Sequence, residues 1–407
     1  MPKKKKKKKW IKLRHTVIET LAYWVLYPYS RLKYHITIEK LKEPKHKQYL
    51  ILYNHQTAFD QFFVGMPFKR PVYYIASEDI FSMGFTSRLL NFAVAPIPIK
   101  KQTADVSAVL NCMRVAKEGA SIAVSPEGNR TFSGKTGYMK DAIVGLIKAL
   151  KIPVALYRLE GGYGVHPRWS DVVRRGKMRG YVSSVLEPED YAKMTDEEIF
   201  AYVEKELYVD EAVVSGEFES KHLAEYLERA MYVCPDHGLS EFESHGDVIE
   251  CKRCGKKIRY LKTKELEGVG EEFPFRFVSD WYDYQNDFIN KFDSKLYTDT
   301  PIYTEKIKLS EVILYKNKRV IDKEATLELY GDKMIVSVSG KPEPFVFDFD
   351  STAAVTILGK NKLNLYSGKV VYQIKGDKRF CALKYINFFH RYKNIISDVE
   401  NASFLGI

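Results

Sequence analysis

Residues 49–62 read YLILYNHQTAFDQF and join a buried strand to a polar turn. The first five residues are apolar or aromatic, as in a buried strand, and Asn54-His55 ends that run before a helical segment begins. Asp60 follows His55 by little more than one helical turn, so we expect its carboxylate to fold back onto the imidazole. A carboxylate on one ring nitrogen fixes the tautomer and leaves the other nitrogen able to take a proton. The stretch therefore predicts a general base, His55, with Asp60 as its orienting partner.

Residues 120–132 read ASIAVSPEGNRTF and repeat this arrangement, a short buried strand followed by a polar turn. Together, NHQTAFD and SPEGNR resemble two motifs of the glycerolipid acyltransferase family, His-x4-Asp and Pro-Glu-Gly-x-Arg. The two motifs stand in the family's order and at a similar separation, and the resemblance covers roughly the first half of the chain. It implies that His55 and Asp60 are catalytic. It also implies an acceptor-binding group, made of Glu127, Gly128 and Arg130.

The family has a basic residue after the strand that lies between these motifs. Here a proline-rich strand end is followed by Lys100 and Lys101. The resemblance implies that one of them holds a phosphate, and the alternative is two exposed lysines at a strand end.

The reaction implied by the resemblance moves a fatty acyl group from a thioester, on coenzyme A or an acyl-carrier protein, to the free hydroxyl of a lysophospholipid. The expected acceptor is 1-acylglycerol 3-phosphate, which would give phosphatidate. His55 would take the hydroxyl proton, so no Ser or Cys nucleophile is needed. We expect backbone amides at the start of the helix after His55 to stabilise the developing oxyanion.

Strands alternate with helices through the region that contains both motifs. Strands are predicted at Gln48–Asn54, Pro71–Ser77, Val94–Ile99, Ala120–Ser125, Pro153–Leu159 and Gly180–Leu186, and helices at Asp105–Lys117 and Lys140–Lys151. The pattern predicts an α/β fold, with a mixed sheet flanked by helices as in the glycerol-3-phosphate acyltransferases. Ligands of such folds bind beyond the carboxyl ends of strands, where both motifs fall. Thr195–Ala230 reads as charged helices that close this domain.

The amino terminus carries much of the formal net charge of +12, because Lys3–Lys9 is an unbroken lysine run. Such a run can be a solvated tail, a nucleic-acid arm or an anchor to anionic lipid. Residues 10–35 favour lipid, since they interleave aromatic and aliphatic residues with charge. Their longest uncharged stretch, Leu21–Ser30, is short of the roughly 20 residues needed to span a bilayer. We therefore expect peripheral binding to an anionic membrane, on its cytoplasmic face because the chain lacks a secretory pattern and a disulfide framework.

Three of the five cysteines cluster in two short turns, Cys234-Pro-Asp-His237 and Cys251-Lys-Arg-Cys254. Two pairs of ligands, each pair separated by two residues, are typical of structural zinc sites. The predicted ligands of Zn²⁺ are Cys234, His237, Cys251 and Cys254, with Asp236 and His245 as alternatives for the fourth position. The segment between the turns reads as a short hairpin.

The last third of the chain is rich in β patterns and ends in a helical run. This order is similar to the pleckstrin-homology-like architecture, by pattern only. At 407 residues the chain needs more than one core. The predicted parts are a poly-lysine tail (1–9), an amphipathic segment (10–35), an acyltransferase domain (36–232), a zinc ribbon (233–261), a helical linker (262–300) and a β-rich domain with a C-terminal helix (301–407).

Two other functions remain open at this level. A nucleic-acid-binding protein would explain the lysine run, the zinc site and the net charge, but it leaves His55, Asp60 and Arg130 without a role. An acyltransferase-like domain that only binds membranes would keep the fold and lose the chemistry. Nucleic acid is the less favoured partner, and the sequence does not indicate an oligomeric state.

Overall fold

The computed structural model describes residues 9–41, 48–99, 105–313, 316–397 and 404–406. Contacts divide the chain into two compact units. The first comprises Met1–Asn129, Met139–Glu160 and Lys177–Val209, and the second comprises Arg130–Tyr138, Gly161–Gly176 and Asp210–Ile407. The lysine run up to residue 8, together with Lys100 and Lys101, lies outside the described residues. The predicted segment 36–232 contributes to both units, and the predicted domain boundaries stay predictions.

The first unit is a seven-stranded sheet flanked by helices. Its strands are β1 (Ile36–Ile38), β2 (Leu50–Tyr53), β3 (Val72–Ser77), β4 (Ile97–Ile99), β5 (Ser121–Val124), β6 (Val154–Glu160) and β7 (Met178–Leu186). Its helices are α1 (Leu13–Tyr34), α2 (Asp60–Val64), α3 (Phe85–Ala93), α4 (Val106–Lys117), α5 (Ala142–Leu150), α7 (Pro188–Tyr191) and α8 (Asp196–Leu207), while α6 (Gly162–Val165) belongs to the second unit. All six predicted strands and the helices predicted at 105–117 and 140–151 are confirmed.

The sheet is mixed, which confirms the predicted fold class. Its strand order is β1-β7-β6-β2-β5-β3-β4, and every neighbouring pair is parallel except β6 and β7. The strands that precede the two motifs, β2 and β5, are direct neighbours, with Leu50 opposite Ile122 and Leu52 opposite Val124. Because parallel neighbours end at the same edge of a sheet, the two motifs meet at that edge.

The centre of this sheet is buried on both faces. Leu50, Ile51 and Leu52 of β2 are fully buried, and the helices α4, α5 and α8 contribute Val115, Ile147 and Val203 to the same unit's interior. A continuous apolar run, rather than an alternating one, is what a central parallel strand requires. Burial of each such side chain stabilises the fold by about 1.5–3 kcal/mol.

The second unit contains two β structures and one hydrophobic core. Its first part consists of β8 (Val233–Cys234), β9 (Gly238–Leu239), β10 (Phe242–His245), β11 (Val248–Cys251), β12 (Lys257–Tyr260) and β13 (Leu266–Gly268), followed by α9 (Val278–Lys291). The hairpin predicted between the cysteine turns is confirmed as β10–β11, which continues through β12 and β13 as an antiparallel sheet.

The second part of this unit is a seven-stranded antiparallel sheet followed by a helix. It consists of β14 (Tyr303–Val312), β15 (Arg319–Leu329), β16 (Lys333–Ser337), β17 (Phe345–Asp348), β18 (Thr352–Leu358), β19 (Lys362–Ser367), β20 (Val370–Lys375) and α10 (Ala382–Ser397). The strand order is β17-β16-β15-β14-β20-β19-β18. The predicted β-rich domain with its closing helix is confirmed.

The helical pattern of residues 217–231 forms a short 3-10 helix at Leu227–Arg229 and no α-helix, so the predicted α-helix is wrong. The backbone N–H of Ala224 donates to the carbonyl of Gly246 at 2.8 Å, and that of Tyr226 donates to Oγ of Ser244 at 2.6 Å. Before Leu227, tertiary partners thus take the place of helical ones. The apolar residues that imitate helical spacing are instead buried in the core of the second unit.

Helix α1 presents an apolar face outward. It buries His15, Ser30 and Tyr34, while Trp24 is 71% exposed and Leu32 is 78% exposed. Within the described ranges, no helix has both the length and the hydropathy that a membrane span requires.

Candidate active site

The carboxylate of Asp60 organises the turn after β2. Asp60 is the first residue of α2 and is fully buried. Its oxygens accept hydrogen bonds from the backbone N–H of Gln56 at 2.7 Å, from the N–H of Thr57 at 3.0 Å and from the Thr57 hydroxyl at 2.5 Å. These hydrogen bonds replace the water that the buried carboxylate loses, so its oxygens are not left without partners.

The same carboxylate binds the imidazole of His55. Nδ1 of His55 lies 2.8 Å from Oδ2 of Asp60, and the His55 side chain is 22% exposed. Since an ionised carboxylate only accepts, Nδ1 carries the hydrogen and Nε2 carries the lone pair of the neutral ring. The arrangement can therefore take a proton at Nε2 and stabilise the resulting imidazolium through Asp60.

The second motif contacts the first through Glu127. The backbone N–H of His55 donates to Oε1 of Glu127 at 2.7 Å, and Glu127 is buried. The turn is closed by Gly128, whose N–H donates to the carbonyl of Ser125 at 3.1 Å. Gly128 has a φ of +66°, a conformation that favours glycine. Glu127 thus holds the backbone of His55, the predicted base. The sequence analysis placed Glu127 at the acceptor and missed this positioning contact.

A second contact that the sequence reasoning missed involves Asn54. Its side chain donates to the carbonyl of Leu159 at 2.8 Å and accepts from the N–H of Leu159 at 2.7 Å. Asn54 is buried, so this pair of bonds fastens the residue before His55 to β6. A polar residue at the end of an otherwise apolar strand is the sequence signal that would have found it.

The predicted oxyanion donors are occupied by the protein itself. The N–H groups of Gln56 and Thr57 donate to Asp60, and that of Phe59 donates to Oγ1 of Thr57 at 3.1 Å. These three amides, which precede α2, are therefore not available to an oxyanion, and the expectation that amides at the start of the helix stabilise one stays a prediction for the amides of α2 itself. The three amides before the helix serve to hold the carboxylate that orients His55.

Arg130 belongs to the second unit, in a cationic environment. Its carbonyl accepts a hydrogen bond from Nη1 of the buried Arg168 at 2.7 Å. Burial and then the positive charge of Arg130 lower the pKa of Arg168. Burial, Lys360 and Arg130 together lower the pKa of His166 to about 3, so His166 is neutral near pH 7.

Three of the four predicted metal ligands come together. The thiol sulfurs of Cys234, Cys251 and Cys254 all lie within 4.8 Å of one another, and those of Cys234 and Cys254 are 3.9 Å apart. His237 is exposed and its ring lies outside this cluster. The alternatives are engaged elsewhere, since Asp236 pairs with Lys256 at 2.6 Å and His245 bonds Glu243 at 3.1 Å.

Backbone amides face two of these sulfurs. Burial raises the pKa of Cys234 to about 12, against the opposing effect of the N–H of Asp236. Burial also acts on Cys251, but the N–H groups of Cys254 and Arg253 outweigh it and hold the pKa of that thiol below its usual value. Short turns that aim amides at sulfur are typical of metal-binding knuckles, so the cluster is able to hold a metal ion.

Comparison with solved structures finds a chain that is similar to part of this one. The 1-acyl-sn-glycerophosphate (LPA) acyltransferase PlsC from Thermotoga maritima is 19% identical to this chain, covering 47% of this chain and 75% of its own, with a TM-score of 0.38. No curated protein matches the chain in sequence.

Comparison with protein families finds one match that includes both motifs. Residues 34–156 match the family model described as Acyltransferase. That range contains β2 with His55 and Asp60, and β5 with the turn of Glu127. The resemblance that the two motifs indicate is therefore confirmed for residues 34–156, which are similar to an acyltransferase domain.

Proposed function

We propose that this protein transfers a fatty acyl group from an acyl thioester to the free hydroxyl of a lysophospholipid. The most direct acceptor is 1-acylglycerol 3-phosphate, which would give phosphatidate, and the donor would be acyl-coenzyme A or acyl-carrier protein. The observation that carries the proposal is the 2.8 Å contact between Nδ1 of His55 and Asp60, at a sheet edge inside the acyltransferase match.

In this reaction Nε2 of His55 removes the proton of the acceptor hydroxyl as its oxygen attacks the thioester carbonyl. Asp60 stabilises the imidazolium, and the thiolate of the donor leaves when the tetrahedral intermediate collapses. The imidazolium then returns its proton to the thiolate. The acceptor supplies the nucleophile, so the protein needs only to position it and to move one proton.

The acceptor phosphate requires a cationic site. We assign it to Arg130, whose planar guanidinium can donate two parallel hydrogen bonds to a phosphate, and the placement of Gly128 at the acceptor stays a prediction. The basic surroundings of Arg130, with Arg168 and Lys360, support this assignment. Glu127 would act through the backbone of His55, and Lys100 and Lys101 stay predictions because they lie outside the described residues.

Replacement of His55 tests the base. We expect His55→Ala to lower the rate of acyl transfer to 1-acylglycerol 3-phosphate by about 10²–10⁴-fold, because general base catalysis typically contributes that much. The measurement is turnover of a labelled acyl thioester by the full chain, with the circular dichroism spectrum as a check on folding. His222→Ala is the matched control, since His222 is exposed and lies far along the chain from the motifs. Turnover by His55→Ala equal to that of the control would rule out the base.

We also propose that α1 and α3 bind the surface of an anionic membrane, on its cytoplasmic face. Helix α3 carries Phe85, which is 77% exposed, and Phe92. Nε of Arg14, on α1, donates to the carbonyl of Phe92 at 2.9 Å, so the two helices are neighbours. Their outward apolar residues form one surface, which a lipid interface would cover.

Replacement of two exposed apolar residues of α1 tests the membrane surface. We expect Trp24→Ser combined with Leu32→Ser to weaken binding to phosphatidylserine-containing vesicles about tenfold, because each change removes apolar area from the interface. Leu296→Ser is the control, since Leu296 is 76% exposed and Leu32 is 78% exposed. Vesicle flotation measures the binding. Unchanged flotation, or tighter binding of the chain to duplex DNA at the same salt, would contradict the assignment.

The cysteine cluster fits a structural Zn²⁺ ion. Zinc–sulfur bonds of about 2.3 Å in a tetrahedron place two sulfurs roughly 3.8 Å apart, close to the 3.9 Å between Cys234 and Cys254. These two thiols and Cys251 would hold the metal, with His237 as the predicted fourth ligand. The ion would join the β8–β9 and β11–β12 turns and serve as a structural cross-link.

Metal analysis tests this proposal. We expect the purified full chain to contain about one zinc per molecule, as a tetrahedral structural site predicts. Cys254→Ala should lower the zinc content and Cys112→Ala should not, because Cys112 is buried in the first unit, apart from the cluster. Wild-type protein without stoichiometric zinc, or equal metal content in the two variants, would contradict the site.

A further inference from the structure

A cavity of about 500 Å³ lies in the second unit, at one end of the β19–β20 hairpin. Its lining includes five basic residues and two acidic ones, a surplus of three positive charges. The basic residues are Arg229, Lys360, Lys362, Lys375 and Lys378, and the acidic ones are Asp171 and Asp377. Among the described residues that line it, none is aromatic. The cavity is thus suited to an anion and lacks the platform on which a nucleic-acid base would stack.

The floor of the cavity is closely hydrogen-bonded. Arg229 is 2% exposed and donates to both carboxylate oxygens of Asp171, at 2.8 and 3.2 Å, and to the carbonyl of Lys378 at 2.6 Å. Nζ of Lys360 donates to the same carboxylate at 2.8 Å. Burial opposes the ionisation of Asp171, but Arg229 and Lys360 hold its pKa at about 2. The negative charge of this carboxylate is therefore already paired with two cations of the cavity wall.

Two side-chain contacts hold the loops around this floor. Nε of Arg168 donates to the carbonyl of Gly359 at 2.9 Å, and Nδ2 of Asn361 donates to the carbonyl of Asp377 at 2.6 Å. The loop after β18 and the loop after β20 are therefore fixed to each other and to the segment before Asp171. A ligand would find these walls already formed, which lowers the entropic cost of binding.

A row of lysines crosses the sheet beside this cavity. Lys375 of β20 is directly opposite Lys362 of β19 on one side and Lys308 of β14 on the other. Residues paired in this way share a face, and like charges placed directly opposite destabilise a sheet. Within the described ranges, neither Lys308 nor Lys375 forms an ion pair with a carboxylate of the chain. An anionic ligand would offset this repulsion.

We propose that this cavity binds a phosphate-bearing anion with at least two negative charges, carried by a phosphorylated lipid headgroup or by a soluble phosphate ester. Lysine ammonium groups bind phosphate as point charges, and Lys375 and Lys378 supply two of them from the exposed rim. The volume is that of a typical small-ligand site. The rim lysines Lys375 and Lys378 have no part in the proposed acyl-transfer reaction, although Lys360 lies near both Arg130 and this cavity.

The test uses the full chain at low ionic strength, where exposed charges are least screened. The probes are soluble inositol trisphosphate, measured by titration calorimetry, and phosphatidylcholine vesicles that contain phosphatidylinositol bisphosphate. Vesicles in which phosphatidylserine provides the same total charge separate headgroup binding from general attraction to the membrane. The variants are Lys375→Ala and Lys378→Ala, both exposed, and Lys369→Ala is the control, an exposed lysine at the opposite end of the same hairpin.

We expect each rim variant to weaken binding about tenfold and the control to bind like wild type, because one charge-assisted contact is lost in each rim variant. If the soluble probe binds as tightly as the bisphosphate vesicles, the ligand is a free phosphate ester. If the chain prefers the bisphosphate vesicles to the charge-matched vesicles, the ligand is a lipid headgroup. Both results support the site. Absence of binding to both probes, or an equal loss in Lys369→Ala, would overturn it. Tighter binding of duplex DNA, lost in the same rim variants, would also overturn it.

Discussion

The buried carboxylate of Asp60 is the interaction on which the candidate active site depends. Burying a charge is costly unless hydrogen bonds replace its water, and here His55, Gln56 and Thr57 supply them. These bonds close the loop after β2 and hold the imidazole at one angle. The backbone N–H groups that satisfy Asp60 would be left unpaired without it. One side chain therefore accounts for the local fold and for the orientation of the base.

The sheet supplies the second constraint. Because β2 and β5 are parallel neighbours, the turn that holds His55 and the turn that holds Glu127 leave the sheet at one edge, and a 2.7 Å bond joins them. Asn54 fastens the same turn to β6 on the other side. The turn that carries the base is thus supported from both neighbouring strands. A catalytic group must be held within a fraction of an ångström, and this double support meets that requirement.

Much of this could be predicted from the sequence, because strand burial and motif spacing are local properties. The apolar run before Asn54 indicates a central strand, and the spacing from His55 to Asp60 indicates their contact. The α-helix predicted over 217–231 is wrong and only a short 3-10 helix forms at Leu227–Arg229, because the helical spacing competes with hydrogen bonds to Gly246 and Ser244 that only the folded chain provides. The lysine row was not predictable for the same reason. Lys308 and Lys375 are far apart in sequence, and only the strand register places them opposite each other.

The most direct test of the account is the tautomer of His55, measured by nitrogen NMR of the imidazole in the full chain. The His55 signals are assigned by their loss in His55→Gln. The account predicts that the neutral ring carries its hydrogen on Nδ1, bonded to Asp60, and that this preference is lost in Asp60→Ala. A neutral ring with its hydrogen on Nε2 in the wild-type chain would contradict the account, because that nitrogen could not then accept the proton of an acceptor hydroxyl.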